Sequence, residues 1–338
     1  MRTVEELERI MTEPSPELID DVARLDGDIM LLGVGGKMGP TMAKMARRAV
    51  EAAGVQKRVI GVSRFSDAAL VRELNDAGIE TIAADLLDED ELAALPEVAN
   101  IIYLAGRKFG TTGQEHLSWA MNTYLPGRVA AKFRSSRIVA FSTGNVYPLT
   151  PVAWGGATES SPVGPVGEYA QSCLGRERIF EYFSHLHGTP VLIFRLNYAI
   201  DMRYGVLNEV AQAVWEGRPI DLTMGHVNVI WQGDANEIAL RSLHHCSTPP
   251  TILNVTGPET VSIRKLALRF GELFGKEPVF RGEESATALL SDAAKMNRIF
   301  GYPKVTLDQM IEWTADWVAA GGVTYDKPTH FQEREGRF

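Results

Sequence analysis

The stretch GDIMLLGVGGKMGPTMAKMARRAVEAAG, from Gly27 to Gly54, decides the fold. It begins with a short apolar strand at Ile29 to Leu32, continues through a glycine-rich turn, and ends in a helix with Pro40 near its start. Proline is preorganised for the first turn of a helix, and a glycine such as Gly54 readily takes the left-handed conformation that ends one. The stretch therefore predicts a strand–turn–helix unit.

The same alternation of strand and helix continues along the chain. Short apolar strands are predicted at RVIGVS, ETIAAD, NIIYLAG, RIVAFSTG and PVLIFRLN, and helices at Asp67 to Ala77, Asp88 to Leu95 and Glu115 to Arg134. A further helix, EYAQSCLGRERIFEYFSHLHG, precedes the last of these strands. Unbroken apolar strands separated by helices are typical of a parallel sheet covered on both faces. We therefore predict an α/β protein with a doubly wound, parallel-sheet Rossmann fold.

This fold divides the chain into a main domain, a smaller lobe and an N-terminal extension. The predicted units are a Rossmann domain at 29–200 that also receives about 227–256, a discontinuous substrate-binding lobe at 201–226 and 257–338, and a helical extension at 1–28. In the extension, Ser15 is expected to cap a helix whose first position is Pro16, and this helix is expected to make a packing or dimer contact. The stretch YPLTPVAWGGATESSPVGPVGE is too long for an ordinary connection and is predicted to be a functional loop or lid.

Composition and charge exclude several classes of protein. The chain has 338 residues, 45% of them apolar, and a net charge of −9; its basic residues are scattered, so no nucleic-acid surface is predicted. It has no run of about 18 apolar residues, and its start lacks the apolar core of a secretory signal. Its two cysteines, Cys173 and Cys246, cannot build a disulfide framework, and its histidines are dispersed, so no metal site is expected. We therefore expect a cytoplasmic protein without nucleic-acid or membrane partners.

The glycine turn is a candidate phosphate-binding site. Gly33, Gly36 and Gly39 stand three residues apart, directly after the first strand and at the start of the helix. Glycine lets the backbone approach a pyrophosphate closely, and the N–H groups at the helix start stabilise its charge. The turn, including Lys37 and Met38, is therefore predicted to hold a dinucleotide, with a purely structural turn as the alternative.

The ends of the second and third strands bear on which dinucleotide binds. Ser63 and Arg64 stand where an acidic residue would accept a hydrogen bond from a ribose 2′-hydroxyl. An arginine there can instead donate two hydrogen bonds to a 2′-phosphate. This favours NADP, with NAD as the alternative if Arg64 is an ordinary surface residue. Asp85 and Leu86 follow the third strand and are candidates to flank the adenine, with Asp85 accepting from its amino group; alternatively, Asp85 caps the helix that begins near Asp88.

The order of these motifs resembles that of the extended short-chain dehydrogenases/reductases, also described as the NAD-dependent epimerase/dehydratase family. The resemblance covers about Ile29 to Trp317. It rests on the three-glycine turn followed, in the family's order, by DLLDEDEL, IIYLAG, FSTGNVYP, RLNYA, ILNVTGPETVSIRKLA and SDAAKMNRIFGYPKVTLDQMIEWTADW.

The resemblance implies roles for particular residues. Tyr169 would give or take a proton on a substrate oxygen while the nicotinamide moves a hydride, and Thr143 would hydrogen-bond the same oxygen. The remaining implied contacts are Ala105, Gly106 and Asn122 with the cofactor, and Asn145 and Asn197 with the substrate. Family members often pair through helices, so a homodimer is expected.

One family residue is missing. The family has a lysine four residues after the tyrosine, where its charge favours the phenolate of a group that otherwise titrates near 10. This chain has Cys173 there. Three accounts stay open: a charge from the nicotinamide or from Lys108 or Arg107 takes over; the tyrosine only donates a hydrogen bond; or the protein is a catalytically degenerate NAD(P)-binding sensor or interaction module. Cys173 itself is interpreted as a buried small apolar residue and not as a nucleophile.

The substrate region argues against two family activities. Dehydratases of the family have Asp and Glu directly after the threonine, where this chain has Gly144 and Asn145. The segment IDLTMGHVNVIWQGDAN lacks the family's arginine clamp for a diphosphate, although Arg203 is a candidate substitute. His226 and Trp231 favour a smaller sugar or sugar-acid substrate; the alternatives are a surface role for His226 and core packing for Trp231.

The sequence therefore predicts an NAD(P)-dependent oxidoreductase or epimerase that acts on a hydroxyl or carbonyl of a sugar or sugar acid.

Overall fold

The computed structural model describes residues 1–108 and 113–337. Strands in these ranges are β1 (Ile29–Leu32), β2 (Val59–Ser63), β3 (Glu80–Ala83), β4 (Asn100–Tyr103), β5 (Arg137–Thr143), β6 (Thr150–Pro151), β7 (Val191–Leu196), β8 (Ala199–Ile200), β9 (Ile220–Asp221), β10 (His226–Val227), β11 (Ile230–Trp231), β12 (Thr251–Val255), β13 (Val261–Ser262), β14 (Phe280–Arg281) and β15 (Thr287–Ala288). The α-helices are α1 (Val4–Met11), α2 (Pro16–Arg24), α3 (Gly39–Ala53), α4 (Ala68–Asp76), α5 (Glu89–Ala94), α6 (Glu115–Trp119), α7 (Leu125–Lys132), α8 (Gly167–His187), α9 (Val206–Glu216), α10 (Gln232–Arg241), α11 (Ile263–Phe274), α12 (Ala294–Phe300) and α13 (Leu307–Ala319).

A seven-stranded sheet forms the centre of the molecule. Its order is β12-β7-β5-β4-β1-β2-β3, and every neighbouring pair in it is parallel. All four residues of β1 are buried, as expected for a strand covered on both faces. The strand order reverses between β1 and β4, and this is where doubly wound folds open a crevice at the carboxyl ends of their strands. The predicted fold is confirmed.

The predicted helices are present with small changes at their ends. The region predicted as one helix from Glu115 to Arg134 is continuous but not uniform, because a π-helical turn at Ala120–Tyr124 separates α6 from α7. Such turns insert an extra residue and often occur at functional sites. None of the helices in the described ranges has the length and apolar character needed to cross a bilayer.

The N-terminal extension contributes to two apolar cores, which are separate from a third core that lies between α7, α8 and the other face of the sheet. The first lies between the sheet and helices α2, α3 and α10, and the second is built mainly from α9, α11 and α13. The N-terminal extension contributes to both: Leu18 and Val22 of α2 belong to the first core, and Leu7 and Met11 of α1 to the second. Ser15 caps α2 as predicted, since its hydroxyl accepts from the N–H of Leu18 at 3.0 Å. Both N-terminal helices therefore pack within their own chain.

The long loop after Val146 is anchored at several points. The Tyr147 hydroxyl donates to Asn254 at 2.8 Å, the N–H of Ala157 donates to Leu290 at 2.9 Å, and the carboxylate of Glu159 accepts from the N–H of Asn254 at 2.9 Å. The loop thus reaches β12 and the segment before α12, and it leads into α8 at Gly167.

A buried ion pair fixes α8 to the sheet. Glu177 of α8 receives two hydrogen bonds from Arg195 of β7, at 2.6 and 3.0 Å, and one from Ser142 of β5. Arg195 also donates to the Tyr147 hydroxyl at 2.6 Å. Both charged side chains are at most 4% exposed. The network sets the position of α8 relative to β5, on which the candidate site depends.

Removing one partner of this pair leaves a buried charge without compensation. We expect Glu177→Ala to lower the free energy of unfolding by about 3–5 kcal/mol. The control is Glu181→Ala on the same helix, because Glu181 pairs with Arg178 at the surface and such pairs contribute little. Urea unfolding measures both. Equal stability of the two variants would contradict the anchoring role of Glu177.

Candidate active site

A cavity of about 540 Å³ opens at the point where the strand order reverses. The glycine turn after β1 forms one wall, and the loop after β4 forms another. The end of β5 contributes Thr143, α8 contributes Tyr169, and the residues after β7 include Asn197. The motifs that lie far apart in the sequence therefore converge on one space.

The three glycines of the turn meet different surroundings. A Cβ on Gly33, whose φ is +90°, would lie 2.7 Å from the backbone nitrogen of Ala105, and a Cβ on Gly39 would lie 2.1 Å from the carbonyl oxygen of Val34. A Cβ on Gly36 would meet only the carbonyl oxygen of Gly33, at 3.5 Å. Gly33 and Gly39 are thus required by the protein's own backbone, whereas the bare face of Gly36 borders the cavity.

The start of α3 is suited to an anion. Met38 stands at its N-cap position, and no side chain caps the N–H groups there. Such N–H groups bind phosphate well. Together with the open face of Gly36, this arrangement fits the pyrophosphate of a dinucleotide, and Lys37 lines the same cavity.

The ends of β2 and β3 have the predicted residues, with one correction. Arg64 is exposed, and its side chain makes no hydrogen bond or ion pair with the residues that the structure describes. The alternative that Asp85 caps α5 is wrong, because the cap is Asp88, which accepts from Asp90 and Glu91 at 3.0 Å. Asp85 instead accepts from the N–H of Leu87 at 3.0 Å.

Two predicted cofactor contacts also have structural roles. The Leu86 side chain is buried in the apolar core between the sheet and helices α7 and α8. Only its backbone is therefore left to face an adenine. Asn122, in the π-helical turn, bonds through its amide to both backbone groups of Arg107 at 2.8 Å, to Ser172 at 3.0 Å and to Arg176 at 2.7 Å. It holds the loop after β4 against α8, and it is not among the residues that line the cavity.

Tyr169 and Thr143 are hydrogen-bonded neighbours. The Thr143 oxygen accepts from the backbone and side-chain nitrogens of Asn145, at 3.2 and 2.9 Å. The Thr143 hydroxyl proton therefore points away from Asn145. The Tyr169 side chain is hydrogen-bonded to Thr143 and to Cys173. The hydroxyl pair is thus oriented within the cavity.

The surroundings of Tyr169 favour its neutral form. Burial raises the pKa of Tyr169 well above 10, the thiol of Cys173 raises it further, and the guanidinium of Arg176 opposes both. Cys173 is 1% exposed and packs with Val146, Tyr147 and Ala157. Because burial also raises its pKa, the thiol stays protonated at neutral pH and supplies no charge.

Arg176 is a buried cation that the sequence analysis missed. It follows Cys173 by three residues and Tyr169 by seven, which places all three on one face of α8. Its guanidinium donates to the carbonyl oxygen of Phe141 and to Asn122, each at 2.7 Å. The spacing along a predicted helix was a signal that could have identified it.

Lys108 approaches Tyr169 from another part of the chain. Its Nζ lies 5.7 Å from the centre of the Tyr169 ring. Burial lowers the pKa of Lys108 to about 8, so it is mostly charged at pH 7. Arg107, the other cation proposed from the sequence, lines the same cavity and donates to Gln114 at 2.6 Å.

The predicted substrate residues divide into two groups. Asn145 and Asn197 line the cavity. Trp231 does not, because it is 2% exposed and packs edge-on against Trp313 in the second core. His226 also lies outside the cavity, in β10, where it pairs with Ser262.

Arg203 is engaged with carboxylates. It is 7% exposed, bonds to Asp201 at 2.7 and 3.0 Å, and bonds to Glu8 of α1 at 3.1 Å. A phosphate would have to compete with both partners. The diphosphate clamp suggested for Arg203 is therefore replaced by an ion-pair network that joins α1 to the loop after β8.

Among the described residues, no group of three His, Cys, Asp or Glu side chains is placed to hold a metal ion.

A comparison with protein-family models gives one match. The model described as "NAD dependent epimerase/dehydratase family" matches residues 29–201, just over half of the chain. A search of curated protein sequences found no match.

Solved structures share the fold at low sequence identity. A variant of UDP-glucuronic acid 4-epimerase from Bacillus cereus, bound to a substrate analogue and NAD, is 16% identical with a TM-score of 0.71, over 86% of this chain and 99% of its own. UDP-glucose 4-epimerase from Thermus thermophilus with NAD is 18% identical with a TM-score of 0.69, over 86% and 98%. The dTDP-glucose 4,6-dehydratase DesIV from Streptomyces venezuelae, also with NAD, is 18% identical with a TM-score of 0.72, over 86% and 97%. At these identities the similarity shows the fold alone.

The open face of Gly36 gives a test of dinucleotide binding. We expect Gly36→Val to raise the Kd for the dinucleotide at least about 10-fold, because the side chain fills the space of a phosphate, while the thermal midpoint stays close to that of the parent. Gly39→Ala should instead lower the thermal midpoint, because its Cβ would clash with the Val34 backbone. Calorimetric titration and thermal unfolding measure the two quantities. Unchanged affinity in Gly36→Val would exclude a phosphate at this turn.

Proposed function

The chain belongs to the NAD-dependent epimerase/dehydratase family, as its motifs predicted, and on that premise we propose that it transfers a hydride between a nicotinamide dinucleotide and a sugar or sugar acid. The reacting group is a hydroxyl or carbonyl, and Tyr169 gives or takes its proton. The observation that carries the proposal is that Tyr169 and Thr143 share one cavity with the open face of Gly36.

The chain's residues divide the work as follows. Gly36 and the N–H groups at the start of α3 hold the pyrophosphate, and the loop at Ala105 and Gly106 runs beside the cofactor. The nicotinamide supplies the hydride acceptor or donor. Asn145 donates to the Thr143 oxygen, and Thr143 is hydrogen-bonded to Tyr169. On substrate binding, the Thr143 hydroxyl turns from Tyr169 to the substrate oxygen and orients it. Tyr169 moves the proton, and Asn197 contacts the substrate.

The missing lysine is replaced by two cations. Lys108 faces the ring of Tyr169, and Arg176 lies beneath it on α8. A nearby positive charge favours phenolate wherever it comes from, so neither cation needs to occupy position 173. Support for this division comes from the lowering effect of Arg176 on the pKa of Tyr169.

NADP is the proposed cofactor, with NAD as the alternative. The exposed Arg64 at the end of β2 suits a 2′-phosphate. The solved relatives named above carry NAD, so the two dinucleotides must be compared directly.

A dimer is the proposed assembly. Helices α6, α7 and α8 present an apolar groove lined by Trp119, Tyr124, Ile179 and Phe183, and Tyr124 is 57% exposed. Large exposed apolar surfaces of this kind mark protein interfaces. A second copy of the chain is expected to cover it, and a monomeric mass by light scattering would argue against this.

Hydride transfer tests the function itself. The protein is incubated with NAD or NADP and a panel of sugars, sugar acids, lactones and UDP-sugars. Absorbance of the reduced nicotinamide detects net oxidation or reduction, and chromatography of the products detects epimerisation, which returns the hydride and leaves the absorbance unchanged. We expect turnover with at least one class, and Tyr169→Phe to lower kcat by about 10²- to 10⁴-fold. Tyr182→Phe, on the exposed side of the same helix, is the control. Dinucleotide binding without turnover on any compound would favour the non-catalytic sensor instead.

The replacement of the lysine makes a prediction about pH. Lys108 carries its charge below its pKa of about 8 and loses it above. Because its Nζ lies 5.7 Å from the centre of the Tyr169 ring, we propose that this charge favours the phenolate at neutral pH. Lys108→Met removes this help, and we expect kcat/KM for alcohol oxidation at pH 7 to fall about 10-fold and the profile to shift to higher pH. Adding Cys173→Lys should restore part of the loss.

The control for this experiment is Lys132→Met on the surface of α7, which should leave the profile unchanged. A profile that is the same in Lys108→Met and in the parent would show that Lys108 does not act on the tyrosine.

A further inference from the structure

Three lysines from separate parts of the chain line the cavity that contains Tyr169. Lys37 comes from the glycine turn, Lys108 from the loop after β4, and Lys327 from the C-terminal segment, which we define as residues 323–337. Cations that converge on one space from distant parts of a chain are suited to an anionic ligand, because each adds to the positive potential there.

Lys37 faces the substrate side of the cavity. Its Nζ lies 3.1 Å from the centre of the Tyr204 ring, a cation–π contact that fixes the ammonium there. Tyr204 follows β8 and belongs to the segment assigned to the substrate-binding lobe. This lysine is therefore positioned by the lobe as well as by the glycine turn.

The charges around Lys37 are unequal in sign. Burial lowers the pKa of Lys37 to about 7, and the charges of Lys327 and Lys108 lower it further. The carboxylate of Glu209, which accepts a hydrogen bond from the Thr329 hydroxyl at 2.8 Å, acts in the opposite direction on both Lys37 and Lys108. One carboxylate faces three lysines, so an anion bound among them would be attracted to the site.

The segment that carries Lys327 is fixed on both sides. Before it, the N–H of Tyr325 donates to the carbonyl oxygen of Arg203 at 3.0 Å. After it, Phe331 is 1% exposed in the second core, and Arg334 donates to the backbone and side chain of Thr287 at 2.8 and 2.7 Å. Lys327 is thus held at the cavity and is not carried there by a loose end.

We propose that Lys37, Lys108 and Lys327 bind an anionic group of the substrate, a carboxylate or a phosphate carried by the sugar, next to Tyr169. This inference rests on the proposed function and narrows its substrate class, because a neutral polyol offers no charge to the three lysines. The C-terminal segment then determines specificity, since it supplies one of the three.

The test uses the full chain loaded with cofactor and three probes with one sugar ring in common: glucose, glucuronate and glucose 6-phosphate. Calorimetric titration is expected to give at least about 10-fold tighter binding for one of the two acids than for glucose. Whichever of the two acids binds more tightly shows whether the site prefers a carboxylate or a phosphate.

Two variants remove the charge without touching Tyr169. Lys327→Met should weaken binding of the preferred acid about 10-fold and leave the affinity for glucose unchanged. Lys37→Met should weaken binding of the acid by a similar factor, and the Kd for the cofactor is measured beside it because Lys37 also belongs to the glycine turn. Lys265→Met, an exposed lysine on α11, is the matched control and should change neither. Lys108 is left intact because it also faces Tyr169.

Several results would overturn the inference. The inference is wrong if neither acid binds more tightly than glucose. It is also wrong if the variants raise the Kd for the cofactor as much as the Kd for the acid, since the lysines would then bind the dinucleotide. Turnover of neutral sugars at the same kcat/KM as acids overturns the inference and leaves the proposed function standing. Charge-dependent binding of an acid without hydride transfer to any compound has the opposite meaning: it supports the anion site and contradicts the proposed function.

Discussion

The buried ion pair between Glu177 and Arg195 is the constraint on which the site depends. Helix α8 carries Tyr169, Cys173 and Arg176, whereas Thr143 belongs to a strand of the sheet. These groups come together only if the helix keeps its height and rotation against β5 and β7. A buried carboxylate bonded to an arginine and a serine fixes both, because any slide of the helix would leave a charge without its partners. The same arginine reaches Tyr147 and thereby holds the loop that leads into the helix.

The charged groups around Tyr169 come from several parts of the chain. The thiol of Cys173 sits in an apolar cluster and stays neutral. Arg176 is permanently charged but has its hydrogen bonds committed to Phe141 and Asn122, so it acts on the tyrosine through its field alone. Lys108 titrates near 8 and therefore contributes a charge that depends on pH. Positive charge in the cavity is thus supplied by several chain segments, and Lys37 and Lys327 line the same cavity.

Short-range sequence patterns predicted the parts of this structure that depend on interactions between residues close together in the chain. The strand–turn–helix at Ile29–Ala53 and the cap at Ser15 follow from short-range preferences, and the motif order brought Thr143 and Tyr169 into one cavity. Long-range packing decided the rest. Trp231 belongs to the core because Trp313 lies against it. Arg203 is engaged by the neighbouring Asp201 and also by Glu8, almost two hundred residues away. No periodic pattern in the sequence predicts that residues 323–337 return to the cavity. That path depends on the bond of Arg334 to Thr287 and on the packing of Phe331 in the second core.

The central claim is that a dinucleotide lies across the glycine turn with its reactive ring facing Tyr169, under the charge of Lys108. A crystal structure of the protein with NADP bound tests it most directly. The account predicts a pyrophosphate over Gly36 and the nicotinamide beside Tyr169, with the Nζ of Lys108 within about 6 Å of the tyrosine hydroxyl, the range over which one charge shifts another group's pKa. A cofactor-soaked crystal in which this cleft stays empty, or in which the nicotinamide faces away from Tyr169, would contradict it.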